Sequence, residues 1–261
     1  MKIKKLFVAI AVSMFIVLGF TGCLGNGSGS ESRTYVSPAV IEYGYTGAGI
    51  LLNTAYGVFI PDNASASSLS ALTSPCAYMS FEYNSEYQTS GAQYPVASNI
   101  RFEPVGVDYI HNPEYTLPSD NYDYPFSSVE FFTESFSTLY KGKFFIYAKA
   151  KLDTNQALEY YLYYKSWEQP EGNGARNIYL QAHLPGTASG TQDVGIIRAL
   201  DMRSMMNSLG RDTTIREGST DYSLKYLKIN LKYCSAIEND EPVFKSVNTQ
   251  PVEVYVFKDD L

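Results

Sequence analysis

Apolar side chains recur at every second position along this chain, and that period constrains the fold more than any other feature. In Ala77–Tyr83, Met79, Phe81 and Tyr83 share one face while Ser80 and Glu82 share the other, as in a half-buried strand. Tyr226–Tyr233 repeats the pattern, setting Leu227, Ile229, Leu231 and Tyr233 against Lys228, Asn230 and Lys232. Val252, Val254 and Val256 do the same near the C-terminus. The 23 Tyr and 14 Phe suit a pleated surface, and long Ala/Leu/Glu/Lys runs are absent, so the chain reads as all-β.

Val36–Tyr45 and Ile50–Ile60 read as strands, the second stopped by Pro61-Asp62-Asn63 and followed by a Ser/Ala-rich loop to Pro75. Ala77–Tyr83 and Ile100–Ile110 complete a first β unit, with a bend expected at Pro104 or Gly106. Pro113, Pro118 and Pro125 then disfavour both helix and central strand and mark a boundary. Beyond it Ser128–Phe132, Lys143–Leu152, Leu158–Trp167 and Asn177–Leu184 read as strands. Asn173-Gly174 suits the turn between the last two and predicts that they pair antiparallel. Val194–Leu209 reads as a strand and then a short helix over Arg203–Leu209, capped by Gly210. The resulting β units are residues 34–112 and 126–261, joined by a linker over 113–125.

The start of the chain has a different character. Lys2, Lys4 and Lys5 precede an apolar run of 15 residues, Leu6–Phe20, and small residues then lead to Cys23. About 20 apolar residues are needed to cross a bilayer, so the run fits a secretory signal over residues 1–22. A cysteine at the cleavage point makes it a bacterial lipoprotein signal, with Cys23 taking diacylglycerol on its thiol and a further acyl chain on its new amino group. Each buried methylene contributes about 0.8 kcal/mol of membrane affinity, so two or three chains hold the protein durably. The Gly/Ser-rich remainder of residues 23–33 is a flexible tether reaching roughly 15–18 Å. The expected location is the cell envelope, on the outer membrane, with the periplasmic and surface faces both open.

The signal contains three lysines and no acid, so the net charge of −7 becomes −10 once it is removed. A body of that charge repels nucleic acid and anionic headgroups, leaving the lipid as the route to the membrane. Envelope proteins and glycans are the remaining partners expected. In an oxidising compartment Cys76 and Cys234 permit one disulfide, or else are two buried thiols.

The search for chemistry returns little. His111 lies near the boundary, and His183 alternates with Asn177, Tyr179 and Gln181 on the polar face of its strand, which reads as solvated surface. The run Glu238-Asn239-Asp240-Glu241 lacks the spaced ligands of a calcium loop and reads as a solvated turn. No cofactor, metal or catalytic set is expected. The best candidate for recognition is Glu159–Trp167, where alternation puts Tyr161, Tyr163 and Trp167 on one face; such rings stack on sugars or anchor interfaces, or else form cross-strand pairs.

In layout the chain resembles the NigD-like lipoproteins of Bacteroidetes. The resemblance covers Cys23, a first unit running through Leu51–Pro61 and Ala77–Asn84, and a second unit opening at Lys143-Phe144-Phe145-Ile146-Tyr147. The Gly/Ser tether stands where the commoner family pattern has an acidic run. The resemblance implies an all-β architecture, a small OB-type β-barrel followed by an immunoglobulin-like antiparallel β-sandwich, and brings no agreed activity or catalytic residues. The expected role is a non-enzymatic, lipid-anchored binding or interaction module. Alternatives are a structural subunit of a fimbrial or adhesion assembly, and a glycan hydrolase using two carboxylates. Replacing Cys23 with Ala is expected to move the protein from the membrane to the soluble fraction and abolish labelling by radioactive palmitate.

Overall fold

The computed structural model describes residues 32–43, 49–84, 88, 93–112, 124–131, 141–153, 156–186 and 190–261. The signal, Cys23, most of the tether and all of the linker before Tyr124 lie outside these residues. Two compact units divide between Gly106 and Val107.

The first unit is a closed barrel. Its strands are β1 (Arg33–Tyr43), β2 (Ile50–Thr54), β3 (Gly57–Pro61), β4 (Cys76–Tyr83) and β5 (Val96–Pro104), with helix α1 (Asn63–Ser70) between β3 and β4. The order around the barrel is β1-β2-β3-β5-β4, closed by antiparallel pairing of β4 with β1 and parallel pairing of β3 with β5. This connectivity is that of an OB-type barrel. Alternation in β4 sends Met79 and Phe81 inward, where Phe81 meets Phe59 at 4.9 Å and Tyr35 at 5.5 Å.

Two expectations are corrected here. Ile50–Ile60 is a hairpin of two strands, not one, because Gly57 takes a φ of +121° and the Thr54 hydroxyl accepts the Tyr56 N–H at 3.1 Å. The Ser/Ala-rich segment is a helix, not a loop: the Asp62 carboxylate accepts the Ser65 N–H at 2.7 Å, capping α1, and Leu69 is buried against the barrel.

The second unit contains β6 (Gly106–His111), β7 (Phe126–Phe131), β8 (Lys143–Leu152), β9 (Glu159–Tyr163), β10 (Arg176–His183), β11 (Gln192–Asp201), α2 (Arg203–Leu209), β12 (Arg211–Glu217), β13 (Thr220–Glu238), β14 (Glu241–Ser246) and β15 (Val252–Phe257). The sheet runs β12-β13-β10-β9-β6-β11-β8-β7, with β14 and β15 also on β13. It curls until β7 lies against β13, enclosing a core of Ile146, Leu162, Ile178, Leu200, Ile229 and their neighbours. The whole is an all-β barrel followed by a sandwich.

The sandwich departs from purely antiparallel pairing. β10 with β13, and β6 with β9, run parallel; β13 returns to β10 only after β11, α2 and β12, a connection long enough for parallel return. Strand β6 lies in the second unit from Val107, pairing Ile110 with Leu162, although its residues read as the end of the first. Strands β12 and β14 carry too many polar residues to have been recognised by alternation. Cys76 and Cys234 are both buried, one in each unit. Gly210 follows α2 as expected but with a φ of −66°; glycine is needed because a Cβ would lie 2.4 Å from the Met206 carbonyl oxygen.

A buried ion cluster fixes the junction of β8, β11 and α2. The Asp201 carboxylate accepts the Arg203 backbone N–H at 3.1 Å and its guanidinium at 2.6 Å, with the Lys143 ammonium 3.5 Å away. Burial alone would raise this carboxyl, but the Arg203 hydrogen bonds and the Lys143 charge outweigh it and hold Asp201 below the usual aspartate range. Asp201→Asn leaves Lys143 buried beside a neutral group, so a loss of roughly 3–5 kcal/mol is expected in urea unfolding at pH 7. A lowered folded pKa means that the carboxylate's contribution is complete above the ordinary range and lost as the pH falls through the folded value. The variant is therefore expected to show a flatter acid limb of stability than the parent.

Candidate functional site

Sheet alternation creates the site on the face of β6, β9, β10 and β13 that points away from the sandwich core. Leu162 and Leu180 face the core, so Tyr161, Tyr163, Tyr179 and Gln181 face the other way, with Tyr179 opposite Tyr163 and Gln181 opposite Tyr161. His111 enters the same row from β6. The rings form a ladder: His111 stacks on Tyr161 at 5.2 Å, Tyr161 meets Tyr163 at 5.2 Å, and Tyr163 stacks on Tyr179 at 5.1 Å. Phe244 of β14 closes it edge-on to Tyr179 at 4.9 Å.

Residues 164–175, between β9 and β10, form an arm over this face. The Glu168 carboxylate accepts Asn177 Nδ2 and the Tyr179 hydroxyl, each at 2.9 Å, and its carbonyl accepts the Arg176 guanidinium at 2.5 Å. The Lys165 ammonium sits 5.0 Å over the Tyr179 ring. Further along, Glu171 accepts Asn230 Nδ2 at 3.1 Å and the Lys232 ammonium at 3.2 Å. Partial burial raises the Glu171 carboxyl, yet these two donors more than offset it and leave it ionised below the usual range. The Asn173 side chain caps the arm's last turn by accepting the Ala175 N–H at 2.9 Å, and Gly174 takes a φ of +80°.

The three aromatic candidates read from the sequence are therefore not one exposed row. Tyr163 is completely buried in the middle of the ladder, stacked on Tyr179 and tilted against Tyr161. Tyr161 is half-buried against His111. Trp167 is 38% exposed and has left the strand: β9 ends at Tyr163, and a turn closed by Glu168 N–H to Lys165 carbonyl carries Trp167 at its tip. His183, read as solvated, is half-buried, and its companions Asn177, Tyr179 and Gln181 are buried. Glu168 and Glu171 escaped sequence reading because Pro170–Gly174 reads as a turn directly joining two strands, whereas β9 ends at Tyr163 and leaves a long segment before the turn that leads into β10.

Burial, reinforced for Tyr179 by the adjacent Glu168, pushes the Tyr163 and Tyr179 phenols well above their ordinary range. Both stay protonated at every physiological pH. Stacking faces, phenol donors and an ionised carboxylate are means of holding and orienting a partner. In the first unit, an open cleft of about 530 Å³ lies over β1, β4 and β5. There a bulge with Asn99 at a φ of +51° turns its amide onto Glu82 at 2.9 Å, and Ser32 donates to the same carboxylate at 3.2 Å. That acid is already engaged by its own chain.

The Tyr163 hydroxyl has no hydrogen-bond partner among the described residues. Tyr163→Phe keeps the ladder and removes the unsatisfied group, so a gain of about 1 kcal/mol in urea unfolding is expected. Tyr163→Ala, which empties the centre of the ladder, is expected to cost roughly 3–5 kcal/mol.

No family model matches the chain, and no curated protein does. Solved structures do match. A protein from Parabacteroides merdae is similar with a TM-score of 0.61 and 13% identity, over 85% of this chain and 98% of that one. A candidate lipoprotein from Bacteroides fragilis is similar with a TM-score of 0.52 and 12% identity, over 86% and 97% of the two chains. A NigD-like immunity protein from Bacteroides caccae is similar with a TM-score of 0.47 and 13% identity, over 81% and 91%. At such identities the likeness to the first two is one of fold, and it establishes that this all-β architecture is shared across nearly the full length of those Parabacteroides and Bacteroides proteins.

Proposed function

We propose that this chain is a cell-envelope lipoprotein, anchored in the outer membrane through Cys23, whose second unit presents a non-enzymatic interaction surface on the arm over residues 164–175. The observation that carries this reading is the arm itself. Two carboxylates, Glu168 and Glu171, are each held by side chains of the sheet beneath, and Trp167 is 38% exposed at the tip. A long connection fixed at both ends and crowned by an indole is pre-organised for contact, because little conformational entropy is lost when a partner arrives. Tryptophan is also among the side chains that dominate interface energies. The membrane side of the proposal rests on the lipoprotein signal, and the likeness to the Bacteroides fragilis lipoprotein supports it. The NigD-like assignment belongs to the same reading, as the family with this layout.

A photo-crosslinking residue at position 166, exposed beside Trp167, tests it in cells with the full-length protein. The expected result is a discrete crosslinked envelope protein, lost when Cys23→Ala frees the chain from the membrane, and lost when Trp167→Ala is added to the chain carrying the probe. A chain that crosslinks to nothing from position 166, while still reaching the membrane, overturns the role given to the arm.

A further inference from the structure

Strand β12 ends the sheet of the second unit, and its far edge pairs with nothing among the described residues. It forms a hairpin with β13 over the turn Gly218-Ser219, in which Gly218 takes a φ of +61°. Glu217 and Thr220 close that turn, so the main-chain groups of Arg211, Thr213 and Ile215 point towards β13. The N–H and C=O groups of Asp212, Thr214 and Arg216 therefore point outward, and all three residues are exposed. Proline or a bulge is a common device for closing such an edge, yet β12 has no proline and keeps an unbroken register with β13 from Arg211 to Glu217.

The outward groups are symmetric about Thr214. A second copy of β12 laid antiparallel on the first, with Thr214 on the two-fold axis, sets Thr214 against Thr214 and each Asp212 against Arg216 of the other copy. Every outward N–H and C=O on both edges then has a partner. The charges select the same register. Within the hairpin Lys225 stands opposite Asp212, and Asp221 opposite Arg216, each pair at 3.6 Å, while Lys258 holds the other Asp212 oxygen at 2.9 Å. Across the joined edges the row therefore reads Lys225, Asp212, then Arg216 and Asp221 of the second copy, alternating in sign through both hairpins. Ion pairs already made by each chain stay in place, because the main chain carries the contact and the charges only set its register. The central row, Ser223 and Thr214 from each copy, is uncharged. Sliding one copy until Asp212 meets Asp212, or Arg216 meets Arg216, opposes like charges. We propose that two copies of this chain form a two-fold dimer by antiparallel pairing of their β12 edges about Thr214. Such a contact uses the same edge of both copies and so closes at two.

The dimer makes no use of Trp167 or the arm, so it stands or falls apart from the role proposed for them. The test is oxidation by copper phenanthroline of cells carrying the full-length Thr214→Cys chain, read as a dimer band on a non-reducing gel. Across the two-fold axis the α-carbons at position 214 lie about 5.5 Å apart, within disulfide range. The band is expected to be at least tenfold stronger than from the parent or from Ser219→Cys, which is exposed at the hairpin turn. Adding Asp212→Arg is expected to weaken it at least fivefold, and adding Arg216→Asp to that chain to restore it, which separates lost charge matching from misfolding. In sedimentation of the full-length protein in density-matched detergent, the parent is expected as a dimer. Thr214→Pro, which removes an outward N–H and spares the hairpin, is expected as a monomer. A Thr214→Cys band no stronger than that of Ser219→Cys, a band indifferent to Asp212→Arg or not restored by the double reversal, or a parent that sediments as a monomer overturns the proposal.

Discussion

Strand β13 organises the second unit. Its 19 residues pair with β12 and then β10 along one edge, and with β15 and then β14 along the other. On the outer face β10 touches it directly, and β9 and β6 follow in turn beyond β10. Because the side-chain period of a strand is two, its register decides both faces at once. Leu227, Ile229, Leu231 and Tyr233 close the sandwich core, while Tyr226, Lys228, Asn230 and Lys232 serve the other side. A slip of one residue would drive two lysines into the core and expose four large apolar side chains, at a cost comparable with the whole stability of an ordinary domain.

That single alternation also explains why the arm sits where it does. Asn230 and Lys232 reach up to Glu171 and hold the arm. Lys228 stands between the arm and the Tyr226–Tyr255 pair, its ammonium 3.5 Å from the Asn173 carbonyl and 3.7 Å from Glu253. Charges on this face are thus engaged in pairs within the chain, which keeps the aromatic rows in place while lowering the net field above them. Ion pairs play the structural part elsewhere too. Arg198 of β11 grips Asp108 of β6 through two hydrogen bonds of 2.8 and 2.6 Å and stacks over Tyr160 at 4.4 Å, joining three strands that are far apart in sequence.

Legibility in the sequence followed local consistency. Lys143–Leu152, Arg203–Leu209 and the valines of β15 were readable because composition and period agreed within each segment. The α1 helix was not, since serine-rich composition argues for a loop and the segment is helical through an aspartate cap and one leucine that meets the barrel. The split of Ile50–Ile60 was hidden by apolar residues on both sides of Gly57. Alternation put Tyr161 and Tyr163 on one face of β9, but the period of a strand says only which residues share a face and not what covers that face.

The sequence by itself determined the all-β class, the inward and outward sets of β4 and β13, and the antiparallel meeting of β9 with β10, because each depends on a period or a turn within a few residues. Tertiary structure alone decided that Tyr163 is buried, that Glu168 and Glu171 pin an arm, and that Tyr226 and Tyr255 stand side by side. These arrangements arise from pairing between strands distant in the chain. Such pairing is set by the closure of the sheet as a whole, on which no local stretch of sequence carries information.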